Sequence, residues 1–255
     1  LPMPALSDAD TTIDGSTQTA YTGDTNAAVA ETTTGPEIAI DYATTAGPGF
    51  EITGANSVLR SVAVTGTSFT DERGVGLYIH TAGPAGTVID GVTLFACASD
   101  GAYIENADNI RVTDSVSRNN GTELPGADGL NANNCTNIRF DNNQLVANDG
   151  YGVDLMGGGS GYIVEDNLVK DNGTGGGGGS TENSGIGLQS VAAGDTVTIQ
   201  RNTVTGNFGD GVMVSSAWTG VRIQENQIYA NGGLGIDLGA FGGDEGDGVS
   251  ANDAG

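Results

Sequence analysis

The feature that most constrains this chain is a short phrase, Gly-apolar-x-apolar, that recurs eight times. Successive glycines are separated by 27, 25, 28, 23, 33, 26 and 24 residues, and all sixteen residues at the first and third places after them are apolar. The glycines are Gly49, Gly76, Gly101, Gly129, Gly152, Gly185, Gly211 and Gly235. Such strict alternation indicates a β-strand that buries one face. A unit this short cannot bury its apolar face alone, so the repeats must stack.

A second phrase in each repeat carries two polar columns. Its apolar anchors are Leu59, Ile89, Val112, Phe140, Val164, Ile199 and Ile223. Asparagines stand three residues after the last four anchors, at Asn143, Asn167, Asn202 and Asn226. They also stand eight residues after the last five anchors, at Asn120, Asn148, Asn172, Asn207 and Asn231. An amide side chain has both a donor and an acceptor, so stacked copies can bond one another and the turn backbone. We therefore predict two structural asparagine ladders rather than a ligand site.

Repeats of about 25 residues with several short strands fit a coil that turns once per repeat. Each strand then pairs in parallel with its equivalent in the next coil, ~4.8 Å away. The 44 glycines and the single lysine also disfavour helices. We predict an all-β, single-domain parallel solenoid of about eight to nine coils. Its parts are a capping or first-coil region at 1–48, eight repeats at 49–239 with a glycine-rich loop insertion at 173–184, and an acidic tail at 240–255.

Several phrases resemble right-handed parallel β-helix repeats of the pectate-lyase-like superfamily. They are Asn-Ile-Arg-Val-Thr-Asp-Ser-Val-Ser-Arg-Asn-Asn-Gly at 109–121 and Val-Arg-Ile-Gln-Glu-Asn-Gln-Ile-Tyr-Ala-Asn-Gly-Gly at 221–233. Thr-Thr-Ile-Asp-Gly at 11–15 and Gly-Pro-Glu-Ile-Ala-Ile at 35–40 resemble the first coils of such proteins. The resemblance covers nearly the whole chain and implies a right-handed coil. It selects no activity, because the superfamily includes lyases, hydrolases, epimerases, phage tailspikes and non-catalytic surface domains.

The charge of the chain restricts its partners. With 32 acidic against 8 basic side chains, the formal charge is −24. Such a chain cannot neutralise phosphates, and an anionic membrane surface would repel it. No apolar run approaches the roughly 20 residues of a spanning helix. We expect no nucleic-acid or membrane partner, and an extracellular or cell-surface setting on a bacterium in a saline environment.

The chain ends and the cysteines add two expectations. The sequence begins without Met and stops within a phrase, which favours a segment of a longer protein with flanking domains. Cys97 and Cys135 are predicted to lie two coils apart, at least ~9.6 Å. A disulfide tolerates only about 7 Å between Cα atoms, so both thiols should be free.

The outward columns of the first strand bring together one polar patch. Its predicted acid–base members are Tyr78, His80, Tyr103 and Glu105, with His80 facing Glu105 across a rung. Its predicted substrate-binding members are Asn131, Asn133 and Asp154, with Arg111 and Arg139 on the second strand. A carboxylate beside an imidazole favours the protonated ring, and a tyrosine can donate a proton or stack on a sugar. The patch can equally be an ordinary surface cluster.

Known members that act on uronates sharpen this choice. The resemblance implies a His or Tyr that transfers a proton and a cation, Arg, Lys or calcium, that neutralises the substrate carboxylate. The first strands carry no such cation. The Asp-Pro-His-Glu phrase of mannuronan epimerases is absent, as is the Asn-Thr-Asp, Asp-Asp and Gly-His-Gly set of polygalacturonases. No cofactor is required by the sequence, and calcium is a candidate ion with Asp244, Glu245 and Asp247 as hard oxygen ligands.

Two functions from different classes remain. The first is a non-catalytic extracellular module, a rigid scaffold with polysaccharide as its candidate partner, within a larger secreted protein. The second is a polysaccharide lyase or epimerase acting on uronates through the Tyr/His/Glu patch, with glycoside hydrolysis as the other enzymatic option. The missing cation favours the first, and whether the chain is an enzyme stays open.

Overall fold

The computed structural model describes residues 3–22, 36–42, 47–68, 74–80, 86–174, 183–189 and 194–239. Over these residues the chain winds as a right-handed parallel β-helix of about seven turns, which confirms the predicted fold class. Each of its three sheets has eight strands, and eight stacked rungs enclose about seven turns rather than eight to nine. The acidic tail and most of the glycine-rich insertion lie outside the described residues.

Each turn contributes one strand to each of three sheets, which are numbered below. Along the chain, the order within a turn is sheet 2, sheet 3, sheet 1. Sheet 1 holds the Gly-apolar-x-apolar strands β3 (Phe50–Ile52), β6 (Leu77–His80), β9 (Ala102–Glu105), β12 (Leu130–Asn133), β15 (Val153–Met156), β18 (Ile186–Leu188), β21 (Val212–Ser215) and β24 (Ile236–Gly239). Sheet 2 holds β1 (Thr12–Asp14), β4 (Val58–Arg60), β7 (Val88–Asp90), β10 (Arg111–Thr113), β13 (Arg139–Asp141), β16 (Ser160–Glu165), β19 (Gly194–Gln200) and β22 (Trp218–Gln224). Sheet 3 holds β2 (Ile38–Asp41), β5 (Val62–Thr65), β8 (Thr93–Phe95), β11 (Val116–Arg118), β14 (Gln144–Val146), β17 (Leu168–Lys170), β20 (Thr203–Thr205) and β23 (Gln227–Tyr229).

One short helix interrupts the β-structure. Helix α1 (Ser16–Thr22) follows β1, and the Asp14 carboxylate accepts a hydrogen bond of 2.9 Å from the Ser16 backbone N–H. An acidic side chain that accepts from a first-turn amide is a standard helix start. The region 1–48 therefore contributes this helix as well as β1 and β2, which pair with β4 and β5.

The core is the column of inward side chains inside the coil. In the first seven Gly-apolar-x-apolar phrases, both apolar residues are buried, as the alternation predicts. Ile236 and Leu238 of the eighth phrase are instead 43% and 54% exposed. The reason is their place on β24, the edge strand of sheet 1, which pairs only with β21.

The two predicted asparagine ladders are present. Side-chain amides donate to the side-chain oxygen of the next coil from Asn143 through Asn167 and Asn202 to Asn226, at 2.9–3.0 Å. A second row runs from Asn120 through Asn148, Asn172 and Asn207 to Asn231, at 2.8–3.0 Å. Each amide also donates to a backbone carbonyl of the preceding coil, as when Asn172 Nδ2 donates to Leu145 in β14 at 2.9 Å. The ladders thus close the two turns that flank sheet 3.

The cysteines are free, as their register predicts, and both are buried. Cys97 occupies the ladder column one coil before Asn120, and its backbone N–H donates to the Asn120 side-chain oxygen at 3.0 Å. Burial raises the pKa of Cys97 to about 12 and that of Cys135 to about 11. Both thiols therefore stay protonated at neutral pH.

Candidate functional site

The outer face of sheet 1 carries side chains that change from coil to coil. In the column at the second place after glycine, the register pairs Tyr78 with Tyr103, Tyr103 with Asn131, and Asn131 with Asp154. The adjacent column pairs His80 with Glu105 and Glu105 with Asn133. Sheet 1 therefore places all seven residues of the predicted first-strand patch on adjacent rungs.

The earlier coils form an aromatic and acidic group. The rings of Tyr78 and His80 stack at 4.1 Å between centroids with an 11° interplanar angle. Tyr78 donates its hydroxyl hydrogen to Glu105 Oε1. His80 Nε2 lies 2.6 Å from Glu51 Oε1, on the preceding coil. His80 and Glu105 are register partners as predicted, but stacking on Tyr78 directs the imidazole to Glu51 while the Tyr78 hydroxyl contacts Glu105.

The later coils form a cleft of about 500 Å³ between sheet 1 and the segment 124–128. The lining residues are Val75, Ser99, Asp100, Tyr103, Leu124, Pro125, Gly126, Ala127, Asp128, Asn131, Asp154 and Met156. Asn131 and Asp154, predicted as outward residues of an open face, are only 5% and 0% exposed. Because the neighbouring segment approaches the sheet here, an outward position in the strand becomes an interior position of the cleft.

Hydrogen bonds organise the floor of the cleft around one amide. Asn131 Nδ2 lies 3.0 Å from Asp128 Oδ2 and 3.3 Å from Asp154 Oδ2, and can donate to both. Asp128 is held in turn by the Tyr151 backbone N–H, which donates to its Oδ1 at 2.7 Å. Asp100 accepts from the Asp128 backbone N–H at 2.7 Å. Two carboxylates from successive turns therefore flank the Asn131 amide nitrogen, and Asp100 supports the backbone of Asp128.

Two buried groups adjoin this hydrogen-bond network, an amide oxygen without a partner and a tyrosine ring. Asn131 Oδ1 is buried and has no hydrogen-bond partner. The Tyr151 ring lies where a side chain at position 187 would stand, because a Cβ on Gly187 would be 2.7 Å from the ring. The amide nitrogen faces Asp128 and Asp154, because the oxygens of these side chains accept its hydrogen bonds.

Sequence reasoning missed Asp100, Asp128 and Tyr151, each of which lies in the turn before a sheet 1 strand. Asp100 and Tyr151 directly precede a repeat glycine, and Asp128 does the same one coil after Asp100. This shared position next to Gly101, Gly129 and Gly152 is the signal that could have identified them.

The basic side chains lie elsewhere. The described arginines and lysine all stand on or directly beside sheets 2 and 3, at Arg60, Arg111, Arg118, Arg139, Lys170, Arg201 and Arg222. Arg111 forms an ion pair of 2.6 Å with Asp141, and Arg139 lies between Asp141 and Glu165. Within the described residues, the structure thus brings no arginine or lysine to the outer face of sheet 1, and Arg111 and Arg139 are not joined to the patch.

Among the described residues, no group of three or more His, Cys, Asp or Glu side chains is arranged to hold a metal ion. The predicted ligands Asp244, Glu245 and Asp247 lie outside the described residues.

Among the described helices, none is long and apolar enough to cross a membrane.

Comparisons with known proteins agree with this architecture. A family model described as a right handed beta helix region matches residues 9–169. Pectate lyase Pel9A is similar at 18% identity and a TM-score of 0.53, over 72% of this chain and 56% of that one. An alginate lyase from Paenibacillus sp. str. FPU-7 is similar at 14% identity and a TM-score of 0.55, over 79% of each chain. No match was found among curated proteins.

A phage protein is also similar in structure. The enzymatically active domain of tailspike protein 2 from bacteriophage CBA120 is similar at 15% identity and a TM-score of 0.58, over 83% of this chain and 36% of that one. The chain thus spans about half the length of pectate lyase Pel9A and about a third of the tailspike domain. At these identities, the likeness establishes the fold alone.

Proposed function

Since the chain belongs to the right-handed β-helix family, we propose that it is a non-catalytic, extracellular polysaccharide-binding module. The observation that carries the proposal is the cleft between sheet 1 and the segment 124–128. Its volume of about 500 Å³ lies within the range of about 300–1,000 Å³ that is usual for ligand sites. The similar polysaccharide lyases and the tailspike domain support a carbohydrate as the ligand.

The lining of the cleft suits a sugar. Tyr103, Met156 and Leu124 provide apolar surface for the C–H faces of a sugar ring. Asp100, Asp128 and Asn131 provide oxygen acceptors for hydroxyl groups. The parallel coil is rigid along its length because every strand pairs with its neighbours, so it also serves as a scaffold.

The missing arginine or lysine favours binding over catalysis. Uronate lyases and epimerases need a group that neutralises the substrate carboxylate and a base that removes a proton. The described part of sheet 1 presents no arginine or lysine for the first task. A polyanionic substrate would therefore need a bridging cation such as calcium.

A second candidate function, uronate lyase or epimerase activity, is favoured by one observation. The stacked Tyr78 and His80 each contact a carboxylate, so two proton-transfer pairs stand side by side on one face. This candidate requires that His80→Ala abolish turnover while the thermal unfolding curve stays nearly unchanged.

Proton NMR of sugars tests both functions. We would incubate the protein with alginate, pectate and a neutral glycan, with and without calcium. Selective line broadening with no new sugar signals supports a binding module, and new signals from elimination, hydrolysis or epimerisation would overturn it. No broadening with any of the three would also contradict the proposal.

A matched pair of variants locates the binding. Tyr103→Ala removes a wall of the cleft and should abolish the broadening. Tyr229→Ala, an equal truncation at an exposed position of sheet 3, should leave the broadening unchanged. Equal effects of the two substitutions would move the binding site away from the cleft.

A further inference from the structure

We propose that the acidic tail at 240–255 carries the start of a further coil, which binds the open end of the solenoid formed by β22, β23 and β24. The tail lies outside the described residues. The inference goes beyond the proposed function, because it concerns the end of the coil and not the cleft. Two independent observations carry it, the uncovered last rung and the positions of Val249 and Asn252 in the sequence.

The first observation is that the last rung is open. Strands β22, β23 and β24 are the edge strands of sheets 2, 3 and 1, and each pairs with one neighbour. Their inward side chains Ile223 and Ile228 are half-buried, and Ile236 and Leu238 are exposed. The equivalent residues one coil earlier are all buried, at Ile199, Val204, Val212 and Val214. An apolar sheet edge of this kind favours the addition of another strand.

The first asparagine ladder also stops at this rung. One coil earlier, Asn202 donates its backbone N–H and a side-chain N–H to the Asn226 oxygen. Among the described contacts, Asn226 itself donates only to the preceding coil, from Nδ2 to the Ile199 carbonyl. Its backbone N–H and its second side-chain N–H are therefore the donors that an asparagine in a further coil would accept.

The second observation is the spacing of the tail. Val249 stands 14 residues after the last repeat glycine, and Asn252 stands 17 residues after it. The same two distances separate Gly185 from Ile199 and Asn202, which are the anchor and the ladder asparagine of an earlier coil. Asn252 is the single asparagine of the tail. The tail therefore supplies the apolar anchor and the ladder asparagine of one more repeat, at a spacing that the fold already accommodates.

The equivalence of the coils specifies the contacts. Val249 would pack on Ile223 in the core, and the Asn252 side-chain oxygen would accept from the Asn226 backbone N–H and from its Nδ2. A second copy of the chain is a poorer occupant of the open end, because two chains that each carry a formal charge of −24 repel one another.

Amide hydrogen exchange, followed by NMR on the full chain, tests the inference. A backbone N–H that is bonded within a stable coil exchanges slowly. We expect the Asn226 N–H to exchange about tenfold more slowly in the wild-type protein than in Asn252→Ala. The Asn231 N–H is the internal control and should not change, because the second ladder position, eight residues after Val249, falls beyond residue 255. Equal exchange of the Asn226 N–H in both proteins would overturn the inference.

A matched pair of charge substitutions tests the packing of the tail. Val249→Asp places a carboxylate against apolar Ile223 and should abolish the slow exchange of the Asn226 N–H. Ser250→Asp adds the same charge one residue later, at a position that points outwards by the alternation of the strand, and should leave the exchange slow. Equal loss from both substitutions would mean that added charge alone displaces the tail, and it would contradict the predicted register.

Protein concentration distinguishes the other occupant. Slow exchange of the Asn226 N–H that appears only at high protein concentration, or that survives Asn252→Ala, would mean that a second copy covers the end, and the inference would fail. Slow exchange that is independent of concentration and lost in Asn252→Ala supports the tail. The sugar-binding tests of the cleft use other residues, so either proposal can fail without the other.

Discussion

The asparagine ladders and the cleft show two uses of the same coil. In a ladder, the same residue recurs at each coil, as at Asn148, Asn172 and Asn207, and every side-chain amide donor is paired. In the cleft column, the residue changes at each coil, and Asn131 keeps an unpaired oxygen. When asparagine stacks on asparagine, the side-chain N–H of one amide is paired with the side-chain oxygen of the next. Where the residues differ from coil to coil, the pairing is incomplete: Asn131 donates to Asp154 in the next coil, but its own oxygen has no partner.

The largest expected effect comes from breaking a ladder at its centre. Asn172 donates to Asn207 and Leu145 and accepts from Asn148. Asn172→Ala leaves several buried groups unpaired and should lower the free energy of unfolding by about 3 kcal/mol or more. Urea denaturation followed by circular dichroism measures the change.

The matched control is the last asparagine of the same ladder. Asn231 is half-buried and bonds Asn207 on one side only. Asn231→Ala should therefore lower the free energy of unfolding by about 1 kcal/mol. Equal losses at the two positions would contradict a ladder whose stability comes from buried copies on both sides.

A smaller effect on stability is expected at Gly187, which has no side chain and is the register partner of Asp154. A Cβ at Gly187 would be 2.7 Å from the fully buried Tyr151 ring, which cannot move away freely. Gly187→Ala should lower the free energy of unfolding by about 2 kcal/mol through overpacking. Gly235→Ala is the control, because its nearest contact would be an ordinary 3.8 Å. A harmless Gly187→Ala would show that the Tyr151 ring does not pack tightly against position 187.

The smallest effect is expected in the ion-pair row of sheet 2, which is also in register but partly open to water. Burial raises the pKa of Asp141, but Arg111, Thr113 and Arg139 outweigh it and hold that pKa below its usual value. Because the folded-state pKa is lowered, Asp141 stabilises the fold above about pH 4 and the effect is lost as the pH falls through the folded-state pKa.

Asp141→Asn should therefore lower the free energy of unfolding by about 1 kcal/mol at pH 7 and by less at pH 3. Urea denaturation at the two pH values measures the difference. Asp171→Asn is the control, because Asp171 is half exposed and lies 3.9 Å from Lys170. A loss from Asp141→Asn that is the same at both pH values would exclude its charge as the cause.

Much of the fold could be predicted because its rules are local. Alternation along each strand and a period of about 25 residues determine which side chains point inwards. The same period places the asparagines in register, so their ladders follow from spacing alone. The short helix α1 was not predicted, because its start depends on the single contact between Asp14 and Ser16.

The candidate site was predicted only in part. Spacing correctly placed Tyr78, His80 and Glu105 on adjacent rungs. It could not show that His80 contacts Glu51, because ring stacking on Tyr78 directs the imidazole. Glu51 and the turn aspartates were therefore left out of the predicted site.

The sequence by itself determined the coil, its register and the residues of its two ladders, since each follows from a repeated pattern between equivalent positions. Only the tertiary structure decided that Asn131 and Asp154 are buried in a cleft. The segment 124–127, which lines the cleft opposite the strands, belongs to no repeated pattern. Periodicity describes contacts between equivalent positions, and it gives no information about a segment that lies outside the repeat.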